Sequence, residues 1–378
     1  MRVYFDNAAT TRLDHEVFEA ITPYLLENYG NASSHHSHGR EVKLAIENAR
    51  ATIAGLINAS SSEIIFTSGG TEADNTAIFS AVKAEGIKNV ITTPLEHHAV
   101  LHTLQTLEKA GEIKLNYLSI NANGEIDLAE LEQLLKNAGR TFVSVMHANN
   151  EIGNLADIDA IGEICSRYNA LFHTDTVQTI GHYKLDLQKT KAHFITCSAH
   201  KFHGPKGVGF LYCRNGIKLS QLLHGGSQER QLRAGTENIH GIIGLAKALE
   251  IAYRDLDHHQ RSVQELKSRM INKLTKYIPG IQFNGNSAIN DKSLYTVLSA
   301  SFPQSGLRGG LLKFLDEQQV SVSGGSACST GHSSHVLAAI GANPAHEHVR
   351  FSFSKLNTLM EVDYVTEKLA PLYSVVAA

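Results

Sequence analysis

Four short polar segments each follow an apolar run, and each carries residues able to do chemistry. They are Ser68-Gly69-Gly70-Thr71-Glu72, Asn149-Asn150-Glu151, Asp175-Thr176-Val177-Gln178 and Ser198-Ala199-His200-Lys201. The first places two glycines and a hydroxyl where a helix would begin, and the free N–H groups and dipole of a helix start suit an anion. It is neither the G-x-G-x-x-G of dinucleotide folds nor a P-loop, and a plain structural turn would use the same residues. A lysine at a strand end is usually only solvated. Lys201, however, shares a sheet edge with Asp175 and the glycine turn, and a second glycine-rich turn, His203–Gly209, follows it.

Pyridoxal phosphate makes four demands of a protein. It needs an amine to bond its aldehyde, an anion for its ring nitrogen, a flat partner for its ring and a cup for its phosphate. Lys201 supplies the amine, Asp175 the anion, His97 the flat partner, and Thr71, Ser198 and His200 the cup. The amine must lose a proton, so polar but water-poor surroundings that lower its pKa from ~10.4 are useful.

These residues have to be positioned by a sheet, because ligands of open parallel sheets sit beyond the carboxyl ends of the strands. Val42, Ala45, Ile46, Ala49, Ile53, Leu56 and Ile57 recur at helical spacing. The pattern then predicts strands at 63–68, 89–92, 113–118, 141–147, 170–174, 193–197 and 207–212. Helices are expected between them at 71–83, 97–109, 127–136 and 158–168. Such alternation means an α/β fold with a largely parallel central sheet. A long charged helix at 251–277 leads to a second set of strands and helices, a smaller α+β C-terminal lobe. No internal repeat or low-complexity tract interrupts the chain.

Composition narrows the setting. With 42% hydrophobic and 19% charged residues, the 378-residue chain has a soluble make-up of two or three lobes. Its longest apolar stretch, at 241–246, is far too short for a membrane span. The segment Met1–Asp6 lacks the apolar core of a secretory signal, so a cytoplasmic protein is expected. A formal charge of -3 with no long basic run argues against nucleic acid as a partner. Cys165, Cys197, Cys213 and Cys328 are widely spaced, unlike a disulfide scaffold or a zinc site. His35, His36 and His38 cluster without a Cys or carboxylate at ligand spacing, so they read as loop histidines and no metal is expected.

At this level of detail the chain resembles a fold-type I pyridoxal-phosphate enzyme of the class V aminotransferase superfamily. Within it the chain is similar to the cysteine desulfurases that supply sulfur for iron–sulfur clusters. The likeness runs nearly end to end, through Tyr4–Thr11, Asn31–His36, Phe66–Asn75, Glu96–Val100, His147–Gly153 and His173–Gln178. It continues through Ser198–Lys201, Arg233–Asn238, Ser323–Cys328 and Val349–Ser352. The lysine and cysteine blocks are the specific ones. Ala32, Thr176 and Ala199 stand where the family commonly has proline, alanine and glycine.

The resemblance implies a division into residues 13–250, a large cofactor domain, and residues 1–12 with 251–378, a small domain. It implies that Lys201 carries the cofactor, that His97 stacks on its ring and moves protons, and that Asp175 pairs with the ring nitrogen. Val177 packs behind the ring, Gln178 and Asn150 reach its oxygen, and Gly70, Thr71, Ser198 and His200 hold the phosphate. Thr236 would reach the phosphate of the other subunit, so a homodimer is implied. Arg350 would grip the substrate carboxylate, with Asn31 and Asn150 nearby. The implied reaction turns L-cysteine into L-alanine and leaves sulfur on Cys328 as a persulfide, for delivery to an acceptor or an iron–sulfur scaffold.

Cys328 also stands out on composition. Ser321–His335 is almost wholly small and polar, a loop composition in which a thiol stays accessible, and at a pKa near ~8.5 a few per cent of it is thiolate at neutral pH. A selenocysteine lyase or a class V aminotransferase would use Lys201 without needing Cys328. A non-catalytic descendant would keep neither under chemical demand.

Overall fold

The computed structural model describes residues 1–324 and 334–373. Its central sheet has seven strands in the order Ile64–Thr67, Gly209–Cys213, Phe194–Ser198, Leu171–Asp175, Thr141–Ser144, Asn89–Thr92 and Lys114–Tyr117. Only Gly209–Cys213 runs antiparallel to its neighbours, so the expectation of a largely parallel sheet holds.

Alternation along the strands explains why the sheet is covered on both sides. Phe66, Ile91, Val143, Phe172, Ile195 and Tyr212 belong to one apolar core, with the helices His15–Leu26, Ser37–Leu56 and Ile239–Arg254. Their chain neighbours Ile65, Val90, Phe142, Leu171, Phe194 and Leu211 belong to the opposite core, with Gly70–Phe79 and His98–Lys109. Successive side chains point to opposite faces of a strand, and a parallel sheet is buried on both.

A separate apolar core joins Val3 and Phe5 to Val263, Met270, Phe302, Phe351 and Val362. Here Val297–Phe302 pairs antiparallel with Glu347–Ser352 and Gln282–Phe283, while Val3–Tyr4 lies parallel to Val320–Ser321. The helices Leu256–Tyr277, Gly310–Glu317 and Leu359–Tyr373 complete this part of the molecule.

Two helix expectations change. Residues 251–277 are not one helix: Ile239–Arg254 ends and Leu256–Tyr277 begins at Asp255, whose ψ of 13° leaves the helical range. The apolar residues 242–252 had already joined the first core, where they pack on the two preceding helices. The helix predicted at 71–83 is α-helical only over Gly70–Phe79 and then widens to a π turn at Ser80–Ala84. The helix His15–Leu26 was not predicted, because Pro23 interrupts its helical signature; Asp14 caps it by accepting from Glu16 N at 2.9 Å.

One buried ion pair ties the sheet edge to a distant loop. Arg50 donates to both carboxylate oxygens of Glu229, at 2.7 Å each, and to Ile64 O at 2.9 Å. Glu229 also accepts from Phe66 N at 2.9 Å. The fork matches the carboxylate in two bonds, which also fixes orientation. It holds a left-handed run, Glu229–Gln231, with φ of 45°, 57° and 65°, a conformation costly for residues with side chains.

Candidate active site

The carboxyl ends of the parallel strands converge on a cleft of the kind that holds small molecules, concave and lined by a few convergent polar groups. Eleven of the residues singled out in the sequence line it. Gly70, Thr71, Ser198 and His200 lie among them, as do His97, Asn150, Asp175, Val177, Gln178, Lys201 and Arg350. Two do not. Asn31 is exposed and turns its Oδ1 to Ser33 N, at 2.9 Å, in the turn ahead of the Ser37–Leu56 helix. Thr236 lines a separate cleft with Ser68, Gly207 and Arg233. Cys328 lies outside the described residues.

Lys201 ends the 3-10 turn Ala199–Lys201 that follows the Phe194–Ser198 strand. Its Nζ donates to Ala8 O at 2.7 Å and to Ala9 O at 2.9 Å, so the amine is held on the N-terminal segment. Gln178 Nε2 donates to the same Ala8 O at 3.1 Å.

Asp175 closes its strand and accepts from Val177 N at 2.8 Å. Burial pushes its carboxyl up to about 7, with the neighbouring Asp74 adding to the shift and Lys201 opposing it. His97 caps the His98–Lys109 helix, its Nδ1 accepting from Ala99 N at 3.2 Å. That bond leaves Nε2 to carry the ring proton. Burial, then the charge of Lys201, lowers the imidazole to about 4, so it is neutral near pH 7.

The anion cup follows from backbone geometry. Gly70 opens the Gly70–Phe79 helix, and no side chain caps that end, so its first N–H groups are available to an anion. A Cβ on Gly70 would come within 2.9 Å of Val177 Cγ2, and one on Gly209 within 2.1 Å of Cys197 O and 2.9 Å of Gly69 Cα. Both positions therefore require glycine if the turn is to lie this close to the next strands.

Arg350 is 2% exposed. It donates to Asn150 O at 2.9 Å and to Asp6 Oδ1 at 2.7 Å, while its buried Nε has no hydrogen-bond partner among the described residues. A buried guanidinium with a donor to spare suits a carboxylate ligand. Thr176, one of the departures from the family pattern, is fully buried and spends its hydroxyl on Thr196 O at 2.8 Å.

The donor set fits pyridoxal phosphate: an amine, a buried carboxylate, a neutral imidazole, an uncapped helix start with hydroxyls beside it, and a valine at the wall. Several residues of the site were missed in the sequence. Ala8 and Ala9 act only through backbone oxygens, and Asp6 through its contact with Arg350. Asp74 and Met146 line the cleft. Glu96, fully buried, accepts from Thr93 Oγ1 and Met146 N at 2.9 Å each. Asp74 and Glu96 fall inside blocks already marked, Phe66–Asn75 and Glu96–Val100, but neither carboxylate gives a local sign in the sequence that it is buried near a cleft.

Comparison with known proteins places these features. A model of the family described as aminotransferase class-V matches residues 3–365. A curated relative from Dictyoglomus turgidum, "Cysteine desulfurase IscS", is 43% identical over 97% of this chain and 93% of its own. Among solved structures, a "NIFS-LIKE PROTEIN" superposes with a TM-score of 0.90 at 39% identity, covering 98% of this chain and 99% of that one. Another, "SspA in complex with cysteine", gives a TM-score of 0.82 at 30% identity over 95% of this chain and all of the other. With the geometry of the cleft, these likenesses mean that the chain belongs to the class-V aminotransferase family of pyridoxal-phosphate-dependent enzymes, among the cysteine desulfurases.

Proposed function

We propose that this enzyme takes the sulfur from L-cysteine, leaves L-alanine, and receives the sulfur on Cys328 as a persulfide. The observation that carries the reading is that Lys201 and Arg350 line one cleft. An amine for the cofactor and a buried cation for a carboxylate are the two groups an α-amino acid substrate demands. The sulfur is argued from the relatives, several of which are named cysteine desulfurases.

Bound pyridoxal phosphate supplies the electron sink for the substrate's α-carbon. Arg350 orients the substrate through its carboxylate, with Asn150 beside it. Lys201 Nζ takes and returns the α-proton. His97, neutral and fixed by Ala99 N, carries at Nε2 a proton that it can donate in a hydrogen bond. The Cys328 thiolate attacks the substrate sulfur, so that an S–S bond forms, the C–S bond breaks and its electron pair stays with the carbon fragment that becomes alanine. A thiol reductant or an acceptor protein then removes the sulfur. Among the described residues no helix is long and apolar enough to cross a membrane, and delivery to an iron–sulfur scaffold in the cytoplasm is the setting we infer. Purified protein given L-cysteine and a thiol reductant should release alanine and sulfide in equal amounts. Transfer of the amino group to a keto acid without sulfide would overturn the reading in favour of an aminotransferase.

The active unit in this reading is a homodimer. Thr236 and Lys201 line different clefts of one chain, which suits a threonine that serves the partner's phosphate. Lys201→Ala and Thr236→Ala, each inactive alone, should regain activity after subunit exchange. Random pairing makes half of the dimers hybrids with one intact site in two, so about a quarter of the wild-type rate is expected. No recovery despite proven exchange would mean that Thr236 acts within its own chain.

A further inference from the structure

Asp74 is a buried carboxylate with no part in the reading above. It lies one turn into the Gly70–Phe79 helix, is 1% exposed, and shares the cleft wall with Asp175 and Lys201. Its Oδ1 has no hydrogen-bond partner among the described residues. His173 Nε2 is 3.3 Å from that oxygen but also 3.1 Å from Thr196 Oγ1, and burial lowers the imidazole to about 4, so it brings no charge. Thr196 offsets part of the burial penalty without closing a bond on Oδ1, and the carboxyl is pushed up to about 7.

Other carboxyls lie nearby. Glu96, on the segment entering the His98–Lys109 helix, is pushed up to about 8 by burial, with Asp175 and Asp74 both contributing. Glu72, on the same helix as Asp74, is engaged by Arg233 at 2.9 Å. The titratable groups acting on Asp175 are Asp74, His173 and Lys201. A buried carboxylate with an unpaired oxygen is expensive for a fold, and a second carboxyl near it more so. Asp74 and Asp175 both line the cleft, and buried carboxyls so placed mark a site where charge is used.

We propose that Asp74 is a positioning residue for the cofactor: without touching the ring, its carboxylate adds a second negative charge beside Asp175 and so holds the ring nitrogen protonated. The inference rests on the assignment of Asp175 to that nitrogen. A protonated nitrogen is what allows the ring to accept an electron pair, and in a site of low dielectric a nearby anion raises its proton affinity strongly. The same charge is a liability when the cofactor is absent. Asp74 and Asp175 have folded-state values near 7, above the ordinary carboxylate value of ~3.9. The stability they contribute is therefore present below about pH 4 and is lost as pH rises through about 7.

Asp74→Asn keeps the size of the side chain and removes the charge. The full chain, freed of cofactor, is tested for binding pyridoxal phosphate and its carbocyclic analogue, in which a C–H group replaces the ring nitrogen. The variant should lose about tenfold in affinity for pyridoxal phosphate, a shift of about one pKa unit at the nitrogen, and none for the analogue. Its cofactor-free form should melt higher than the wild type at pH 8. Equal losses for both ligands, or a lower melting temperature, would make Asp74 merely structural and overturn the proposal. Asp175→Asn separates the two levels. If it does not discriminate between the ligands, the assignment of Asp175 has failed; if it does and Asp74→Asn does not, only the present inference has.

Discussion

Replacing Cys328 by serine should reduce sulfide release from cysteine to background while leaving the protein yellow and its spectrum still responsive to added cysteine. Serine keeps the size of the residue but is no soft nucleophile toward sulfur and can hold no persulfide. The other cysteines are disqualified by where they sit. Cys165 and Cys197 are wholly buried and Cys213 is 5% exposed. Burial pushes the thiols of Cys165 and Cys213 up to about 12 and raises that of Cys197 too. None of the three has appreciable thiolate at neutral pH, and the thiolate is the nucleophile. Their alanine variants should keep the chemistry and lose roughly 1–3 kcal/mol of packing stability at most. The cofactor is bound through Lys201, so binding and sulfur transfer should separate cleanly in Cys328→Ser. Alanine and sulfide produced by that variant at the wild-type rate would sink the persulfide assignment and make a lyase or an aminotransferase the better reading.

Lys201→Ala should fold, retain no covalently bound pyridoxal phosphate, and turn over no cysteine. Removing the amine leaves the carbonyls of Ala8 and Ala9 without its two bonds; at roughly 1–3 kcal/mol for a buried unsatisfied group the fold survives. The chemical loss is far larger. One positioned proton-transfer group contributes roughly 10²–10⁴-fold, and the covalent hold on the cofactor is lost as well. Borohydride reduction of the wild type followed by peptide mapping should place the pyridoxyl group on Lys201. Lys206, exposed on the following turn, is the rival position; a label found there instead would refute the assignment.

What was legible in the sequence was what is local. The strands of the central sheet could be read because Ile64–Thr67, Thr141–Ser144 and Leu171–Asp175 are short apolar runs that end in polar residues. Their ends differ by one to three residues, since an extended run can continue past the regular ladder: Val145 N and His147 N still donate to His173 O and Asp175 O, at 3.1 and 3.0 Å. Asp175, Ser198, His200 and Lys201 were visible because a strand end is itself a position. His97 was expected inside a helix and proved to be its cap. The domain-scale helix at 251–277 failed because hydrophobic period alone does not mark a break at a polar residue such as Asp255. The least legible contributors were those whose role exists only in the fold. Ala8 and Ala9 have no side-chain chemistry, and Asp74 and Glu96 become a carboxylate cluster only when a helix and a loop meet at the sheet edge.

The seat of the Lys201 amine has a consequence for how the chain is made. Ala8 and Ala9 stand 193 and 192 positions before the lysine they hold. They are themselves secured from the far end: Ser352 Oγ accepts from Ala8 N at 2.9 Å, and Ser352 N donates to Phe5 O at 2.7 Å, across 347 positions. The segment that seats the amine thus leaves the ribosome early and waits, at about 5–20 residues per second, for roughly 20–70 s before its anchor emerges. A nascent chain that has already displayed Lys201, Asp175 and the glycine turn contains Ala8 and Ala9 but still lacks the Ser352 that fixes them. Contacts of such separation close late, so the seat of the amine is completed only with the whole polypeptide, and a prematurely released fragment keeps the contact of Thr11 with His200 but lacks the far anchor.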